Sequence, residues 1–203
     1  MIKIKKFKGQ KGLNKLEQFL EKRRSSQMNI IPIVSKILKD IKKNKKKALL
    51  KYEKKFSNNS VIKPNKTEIN KASKSLSPKI KKAIDFAYNR IFKYHSLQKL
   101  SNIFYKDKLN NSFKYKSVPL NKIGIYVPAN LPSTLLMNAI PAKIAGVKKI
   151  YLANPRLNNK LNPAVIYAAK KLGIDEIYSI GGAQAIASLS YIQKVDKIVG
   201  PGN

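Results

Sequence analysis

Apolar residues recur every three or four positions through much of the first half of the chain, as expected for amphipathic helices. One stripe comprises Ile33, Val34, Ile37, Leu38 and Ile41. A second stripe follows the run KKNKKK and comprises Ala48, Leu49, Tyr52 and Phe56. Ser77-Pro78 predicts the start of another helix, because a hydroxyl cap precedes a proline at the first helical position. The run NIFYKDKLNNSFKYKSVPL then predicts two short strands around a Leu-Asn-Asn-Ser turn.

The second half of the chain alternates strand-like and helix-like runs. The strand-like runs are KIGIYVP, KKIYLANP, DEIYSI and VDKIVG, with a helix predicted after each of the first three. Ser133 and Thr134 are expected to cap the first helix, and Pro141 to kink or break it. Asn162-Pro163 is expected to start the second helix and Gly173 to end it. This order predicts a parallel sheet with right-handed crossovers.

Ligands of such sheets bind beyond the carboxyl ends of the strands, so the loops after the strands are the candidate site. In the loop GGAQ, two glycines precede a helix whose first N–H groups can bind an anion or phosphate, and Gln184 adds an amide. Tyr126 ends a strand, where its ring and hydroxyl can contact a flat ligand. Asn203 adds an amide at the final turn, GPGN. Each feature taken alone is also typical of ordinary turns and core packing, and the dinucleotide fingerprint G-x-G-x-x-G is absent.

Composition excludes several classes of site. The 203 residues are 43% hydrophobic and include no Cys and one His, which excludes disulfides and thiolate or multi-histidine metal sites. We interpret that residue, His95, as a packed or capping histidine near a helix end rather than a catalytic one. No apolar run approaches the roughly 20 residues needed to span a bilayer. We therefore expect a soluble cytoplasmic protein without membrane contact.

The chain carries a formal net charge of +33, unevenly distributed. Residues 1–117 hold 33 Lys+Arg against 7 Asp+Glu, a balance of +26, whereas residues 118–203 hold 10 against 3, a balance of +7. The excess is mostly Lys, and we interpret it as solvated helix faces. The alternative is a basic protein associated with nucleic acid, because charge supplies sequence-independent attraction to phosphates, or an otherwise non-catalytic remnant protein.

Taken together, the segments of the second half resemble the histidinol dehydrogenase family. The segments are GIYVP, PSTLLMNAIPAKIAGVKKIYLANP, NPAVIYAAKKLGIDEIYSIGGAQAIASLSY and KVDKIVGPGN. The resemblance runs from Lys122 to Asn203 and extends more weakly to the helical segments 34–56 and 83–98. It implies an α/β fold in which a Lys-rich, mainly helical region (1–117) precedes an incomplete Rossmann-like parallel β/α domain on the NAD side (118–203).

The resemblance also implies an activity. Enzymes of this family oxidise L-histidinol to L-histidine through the aldehyde, by two hydride transfers to NAD+, at the end of histidine biosynthesis. They are homodimers in which a zinc ion holds the substrate, a histidine acts as base and a glutamate helps to activate water. The positions that match the family's NAD contacts are Tyr126, Gln184 and Asn203.

The sequence departs from the family pattern at three places. The two glycines usual after GIYVP are replaced by Ala129 and Asn130, which is expected to restrict that loop. The Gly-Asp expected before the Ala-Leu of the second stripe is Lys46-Lys47. The segment between SLSY and KVDKI is shorter than usual, which is expected to change the position of Asn203 relative to Gln184.

The resemblance implies that the part of the family that carries out the chemistry lies beyond these 203 residues. The zinc ligands, the glutamate–histidine pair and most substrate contacts are expected downstream of Asn203. We therefore expect an amino-terminal portion of such an enzyme, with no catalytic residue and no metal ligand in these 203 residues. On this interpretation the chain alone is inactive.

Overall fold

The computed structural model of the chain describes residues 7–28 and 30–201. In chain order these residues form α1 (Gly9–Met28), α2 (Ile31–Ser57), α3 (Lys66–Lys74), α4 (Pro78–Ser96), β1 (Ile103–Lys106), β2 (Ser112–Tyr115), β3 (Lys122–Tyr126), α5 (Pro132–Ile144), β4 (Lys149–Ala153), α6 (Pro163–Lys171), β5 (Glu176–Tyr178), α7 (Gly182–Tyr191) and β6 (Lys197–Val199). The predicted α/β fold, with helices first and alternating strands and helices after them, is confirmed.

Strands β3 to β6 form one parallel sheet in the order β5-β4-β3-β6. The chain enters at β3 and moves outward through β4 to β5. Helix α7 then returns it to β6, on the other side of β3. The winding direction therefore reverses between β3 and β6, and this reversal is the topological switch point at which such sheets bind ligands.

Both faces of the sheet are covered, as a parallel sheet requires. Ile125 and Leu152 face a hydrophobic cluster that includes side chains of α4, α5 and α6. Tyr151 and Ala153, the alternate residues on β4, face a second cluster built mainly from α2 and α7. Residues from both sides of position 118 enter both clusters, and the division into regions 1–117 and 118–203 stays a prediction.

Helix α7 lies close against β3 because Gly124 has no side chain. A Cβ at Gly124 would lie 3.0 Å from the side chain of Leu189, which is fully buried. A helix that crosses over between parallel strands runs against the strand direction. The first turn of α7 is thus brought to the carboxyl edge of the sheet.

Several helix ends follow their local sequence as predicted. The Ser77 hydroxyl accepts a hydrogen bond from the Ile80 amide, and Pro78 is the first residue of α4. The Asn162 side chain accepts hydrogen bonds from the first turn of α6. Gly173 follows α6 with a φ of +62°, as expected for a helix stop.

Helix α5 differs from its prediction in two respects. It begins at Pro132 after Leu131, without a side-chain cap, so the expected capping by Ser133 and Thr134 is wrong. The fixed φ of Pro132 suits the first helical position, which places Ser133 and Thr134 inside the first turn. The helix also continues through Pro141 to Ile144, so no break occurs there. Pro141 lies in the last turn of α5, where the loss of one backbone hydrogen bond does not end the helix.

Strands β1 and β2 form the predicted antiparallel hairpin, and both are exposed throughout. The turn spans residues 107–111, slightly earlier than the expected Leu-Asn-Asn-Ser turn. The Asp107 carboxylate holds it by accepting hydrogen bonds from the amides of Leu109 and Asn111, at 2.8 and 2.9 Å.

Among the helices of the described residues, none is long and apolar enough to cross a membrane.

Candidate functional site

The loops after the four parallel strands meet at one edge of the sheet, as predicted. A Cβ at Gly200, which has a φ of +143°, would overlap the carbonyl oxygen of Tyr126, so the loop after β6 touches the end of β3. A Cβ at Gly181 would lie 2.9 Å from Pro155, so the loop after β5 touches the loop after β4. The carboxyl edge is therefore one continuous surface.

Asn154 joins the loops after β3 and β4. Its side chain is buried, and its Nδ2 donates hydrogen bonds to the carbonyls of Val127 and Pro128, at 3.1 and 3.0 Å. The Oδ1 atom is buried and has no hydrogen-bond partner among the described residues. Sequence reasoning missed Asn154, although an amide directly after a buried strand is a recognisable signal.

Tyr126 is the last residue of β3 and lies at the switch point beside Gly200. Its side chain is half-buried and packs against the cluster formed by α2 and α7. Later in the same loop, neither Ala129 nor Asn130 has a positive φ. This turn therefore does not require glycine, and the expected effect of Ala129 on the loop stays a prediction.

Gln184 lies in the first turn of α7 and is 3% exposed. Its Nε2 donates a hydrogen bond of 3.0 Å to Oε1 of Glu53, which is 1% exposed. The same oxygen accepts a hydrogen bond of 3.1 Å from the Gly181 amide. Part of the anion position predicted at this helix start is thus occupied by a carboxylate of the chain itself.

Glu53 is the second residue that sequence reasoning missed. It lies on the buried side of α2 with Leu49, one helical turn earlier, and its Oε2 is buried without a partner among the described residues. An acid on an apolar stripe was the available signal. The residues that Glu53 contacts depend on how α2 packs against α7, and no local sequence pattern shows this packing.

The loop after β5 is also held by the segment that follows α2. The Asn59 side chain donates a hydrogen bond of 2.6 Å to the Ser179 carbonyl, and the Ser179 amide donates one of 2.7 Å to the Ile62 carbonyl. This segment and Glu53 therefore fix both ends of the Ser179–Gly181 turn.

Arg156, in the loop after β4, is paired with Glu68 of α3. Both Nη atoms contact the Glu68 carboxylate, with Nη2 at 3.0 Å from Oε2, and the arginine side chain is 9% exposed. The charge of this guanidinium is therefore already neutralised by a bidentate partner.

Ionisable groups next to the edge are held in their ordinary charge states. Burial, with a hydrogen bond to Glu176, raises the pKa of the Tyr178 hydroxyl far above its usual value. The hydrogen bond from Lys63 lowers the pKa of the Glu176 carboxyl. Tyr178 thus remains protonated and Glu176 ionised at neutral pH, which suits structural roles better than proton transfer.

The sequence predictions for Asn203 and His95 are not tested by the structure. Asn203 lies outside the described residues, so its predicted cofactor contact stays a prediction. His95 is half-buried at the end of α4, where its Nδ1 lies 2.6 Å from Oε1 of Gln98, and it lines a cavity of about 630 Å³ beside α5. Its assignment as non-catalytic likewise stays a prediction.

The described residues provide no ligand set for the zinc ion that the family resemblance implies. Within residues 7–28 and 30–201, no three or more His, Asp or Glu side chains lie together as a group that could hold a metal ion.

Comparisons with known proteins identify the family. The family model described as histidinol dehydrogenase matches residues 20–203. A histidinol dehydrogenase of Pelagibacter ubique is 54% identical, covering 100% of this chain and 49% of its own length. One from Caulobacter vibrioides is 39% identical, covering 91% of this chain and 45% of its own length.

A solved structure agrees with these relatives. The crystal structure of histidinol dehydrogenase from Elizabethkingia anophelis superposes with a TM-score of 0.81 at 38% identity, covering 86% of this chain and 42% of that one. The chain spans about half the length of the curated relatives it matches. It belongs to the histidinol dehydrogenase family, matching the amino-terminal portion of its relatives.

Proposed function

We propose that this chain is the cofactor-side portion of an enzyme that oxidises L-histidinol to L-histidine with NAD+. The observation that supports it most strongly is the family match over residues 20–203, which takes in the whole sheet and the loops at its carboxyl edge. The doubly wound sheet adds to it, since such sheets bind nucleotides at their switch point.

The residues at the carboxyl edge fit a dinucleotide. Tyr126 supplies a half-buried aromatic ring at the switch point. Asn154 has a buried amide oxygen without a partner among the described residues, and Gln184 has a buried side chain. When bound, NAD+ supplies the hydride acceptor. In this proposal the ring of Tyr126 orients a flat group, Gln184 accepts a hydrogen bond through Oε1, and Asn203 adds a further amide.

Zinc does not fit the described residues, which offer no cluster of ligands. No step through the metal is therefore derived from this chain. We place the zinc ligands, the base and the water-activating glutamate of the complete enzyme in the half of its relatives that this chain does not span. The homodimer is proposed for that complete enzyme as well.

Binding of NAD+ by this chain tests the cofactor assignment. Calorimetric titration is expected to detect binding, and Tyr126→Ala and Gln184→Ala are each expected to weaken it by about tenfold. Tyr115→Ala is the matched control, because Tyr115 lies on the exposed hairpin strand β2. Unchanged affinity in both site variants would refute the assignment of these residues.

A separate assay tests where the chemistry lies. Purified chain mixed with L-histidinol and NAD+ is expected to produce no NADH, followed by absorbance. Sustained NADH formation would mean that the catalytic groups are present within these 203 residues, contrary to the proposal.

A further inference from the structure

A carboxyl group of the protein itself, that of Glu53, contacts the first turn of α7. Oε1 of Glu53 accepts hydrogen bonds from the Gly181 amide and from Nε2 of Gln184, at 3.1 and 3.0 Å. A helix N-terminus carries a partial positive charge and favours an anion. In dinucleotide-binding sheets that anion is the ligand's phosphate. Here a side chain from α2 takes the position.

The burial of Glu53 shows that it is not an incidental surface contact. Its side chain is 1% exposed, and Oε2 has no partner among the described residues. Burying a carboxylate is costly unless charges or hydrogen bonds compensate. The dipole of α7 and the two donors to Oε1 offset part of that cost.

The contact with Glu53 also fixes the orientation of the Gln184 amide. Oε1 of Glu53 already accepts a hydrogen bond from the Gly181 amide, so Gln184 turns its NH₂ toward this oxygen. Its Oε1 then points away and lies over Gly182, where a Cβ would be 3.0 Å from it. The group left for a ligand is therefore an acceptor.

Arg156, a basic side chain in the loop after β4, is paired with a carboxylate in a similar way. Its guanidinium pairs with Glu68, and only 9% of its side chain is exposed. Carboxylates from α2 and α3 thus occupy both of these anion-binding features beside the loops after β4 and β5.

We propose that Glu53 is a positioning residue that excludes phosphate from the start of α7 and turns the Gln184 carbonyl toward the ligand. The inference rests on the proposed function in one respect: the ligand group accepted at Gln184 is an N–H or O–H donor of the dinucleotide, such as an amide or a ribose hydroxyl. The pyrophosphate then lies away from the first turn of α7.

Inorganic phosphate tests the exclusion without NAD+. In the wild-type chain, titration with millimolar phosphate at moderate salt is expected to leave the amide NMR signals of Gly181 to Gln184 unchanged. In Glu53→Ala and Glu53→Gln the same signals are expected to shift saturably, because the helix start has lost the carboxyl group that occupies it. Background salt limits binding to the many surface lysines. Glu176→Gln, which removes a carboxylate from β5 instead, is the control and should behave as wild type.

NAD+ tests the positioning. In Glu53→Gln, the amide that replaces the carboxyl group can rotate, so Gln184 is no longer held in one orientation. The NAD+ affinity of this variant is therefore expected to fall by about tenfold. If Glu53→Ala unfolds locally, the near-isosteric Glu53→Gln, checked by circular dichroism, decides. Equal phosphate shifts in wild type and variants overturn the exclusion, and unchanged NAD+ affinity in Glu53→Gln overturns the positioning. If wild type binds no NAD+ yet the phosphate results are as expected, the proposed function and the positioning fail while the exclusion stands.

Discussion

Lys45 has a backbone conformation that glycine adopts far more easily than lysine. Its φ of 48° and ψ of −126° interrupt α2 at the Lys-rich run between the two apolar stripes. Lys45→Gly is expected to raise the free energy of unfolding by about 1 kcal/mol, because strain at such positions exceeds the value of one exposed lysine contact. Urea denaturation measures it. Lys46→Gly, one residue away in regular helix, is the control and should lower stability by a similar amount. A loss of stability in Lys45→Gly would contradict the interpretation that the backbone at Lys45 is strained.

Asn154 is expected to contribute strongly to stability as well as to the site. Asn154→Ala leaves the carbonyls of Val127 and Pro128 without this donor inside the protein. The expected cost is about 2 kcal/mol in the free energy of unfolding. Asn138→Ala is the comparison, because the Asn138 amide donates to a helix carbonyl at a half-buried position where water can replace it. Equal losses in both variants would argue against a special role for Asn154.

At the residue scale, sequence reasoning found the positions whose signal is local. Tyr126 ends a strand and Gln184 begins a helix, and the structure places both at the predicted edge. Glu53 was missed because its partners, Gly181 and Gln184, are more than 100 residues away. Long-range pairing of this kind leaves no trace in periodicity.

Helices α2 and α7 have complementary charges at both ends of their contact. Glu53 bonds to the first turn of α7, while Nζ of Lys45 donates a hydrogen bond of 3.2 Å to the Tyr191 carbonyl at its last turn. The acid thus meets the positive end of the α7 dipole and the lysine meets the negative end. From Lys45 to Glu53 is a step of eight residues, a rise of about 12 Å along a helix, which is comparable to the length of α7. Both contacts fit the antiparallel packing of α2 against α7.

Helices α4 and α6 are joined by a contact that acid should weaken. The Asp85 carboxylate accepts hydrogen bonds from the Tyr167 hydroxyl and pairs with Lys171 at 3.0 Å. The hydrogen bond from Lys171, followed by that from Tyr167, lowers the pKa of the Asp85 carboxyl. A lowered folded-state pKa adds stability that is present above the unfolded value, about 3.9, and is lost as pH falls through the folded value.

Asp85→Asn is therefore expected to lower stability at neutral pH and to reduce its decline on acidification. Denaturation midpoints between neutral pH and about pH 3 measure the change. Tyr167→Phe, which keeps the salt bridge, should give a smaller effect. An acid dependence in Asp85→Asn as steep as that of wild type would show that other carboxyls dominate.

At the element scale, prediction succeeded where one segment contained all the information. The caps at Ser77 and Asn162 and the stop at Gly173 depend on neighbouring residues alone, and each was found. The start of α5 was misjudged because Pro132 alone defines it. The strand order also needed the structure, since four alternating strands are compatible with several orders.

The whole molecule is dominated by uncompensated positive charge. The chain has 43 Lys+Arg against 10 Asp+Glu, and the structure shows five salt bridges among the described residues. Residues 42–47, which include the lysines of the run KKNKKK, are all exposed. Exposure fits the interpretation of solvated helix faces, and the nucleic-acid alternative stays an untested prediction. Binding to duplex DNA that falls steeply with salt would favour that alternative.

Self-repulsion of this charge is expected to make stability rise with salt. At low ionic strength the Debye length is about 30 Å, comparable to the size of the molecule, so like charges repel across it. At about 0.15 M salt the length falls to about 8 Å, and repulsion between distant lysines is largely screened while close ion pairs lose less. The melting temperature should therefore increase from low to physiological NaCl, measured by circular dichroism at constant pH. Sucrose at matched osmolality is the control for solvent effects and should not reproduce the initial steep rise. A melting temperature that falls with NaCl would mean that the few ion pairs outweigh the repulsion.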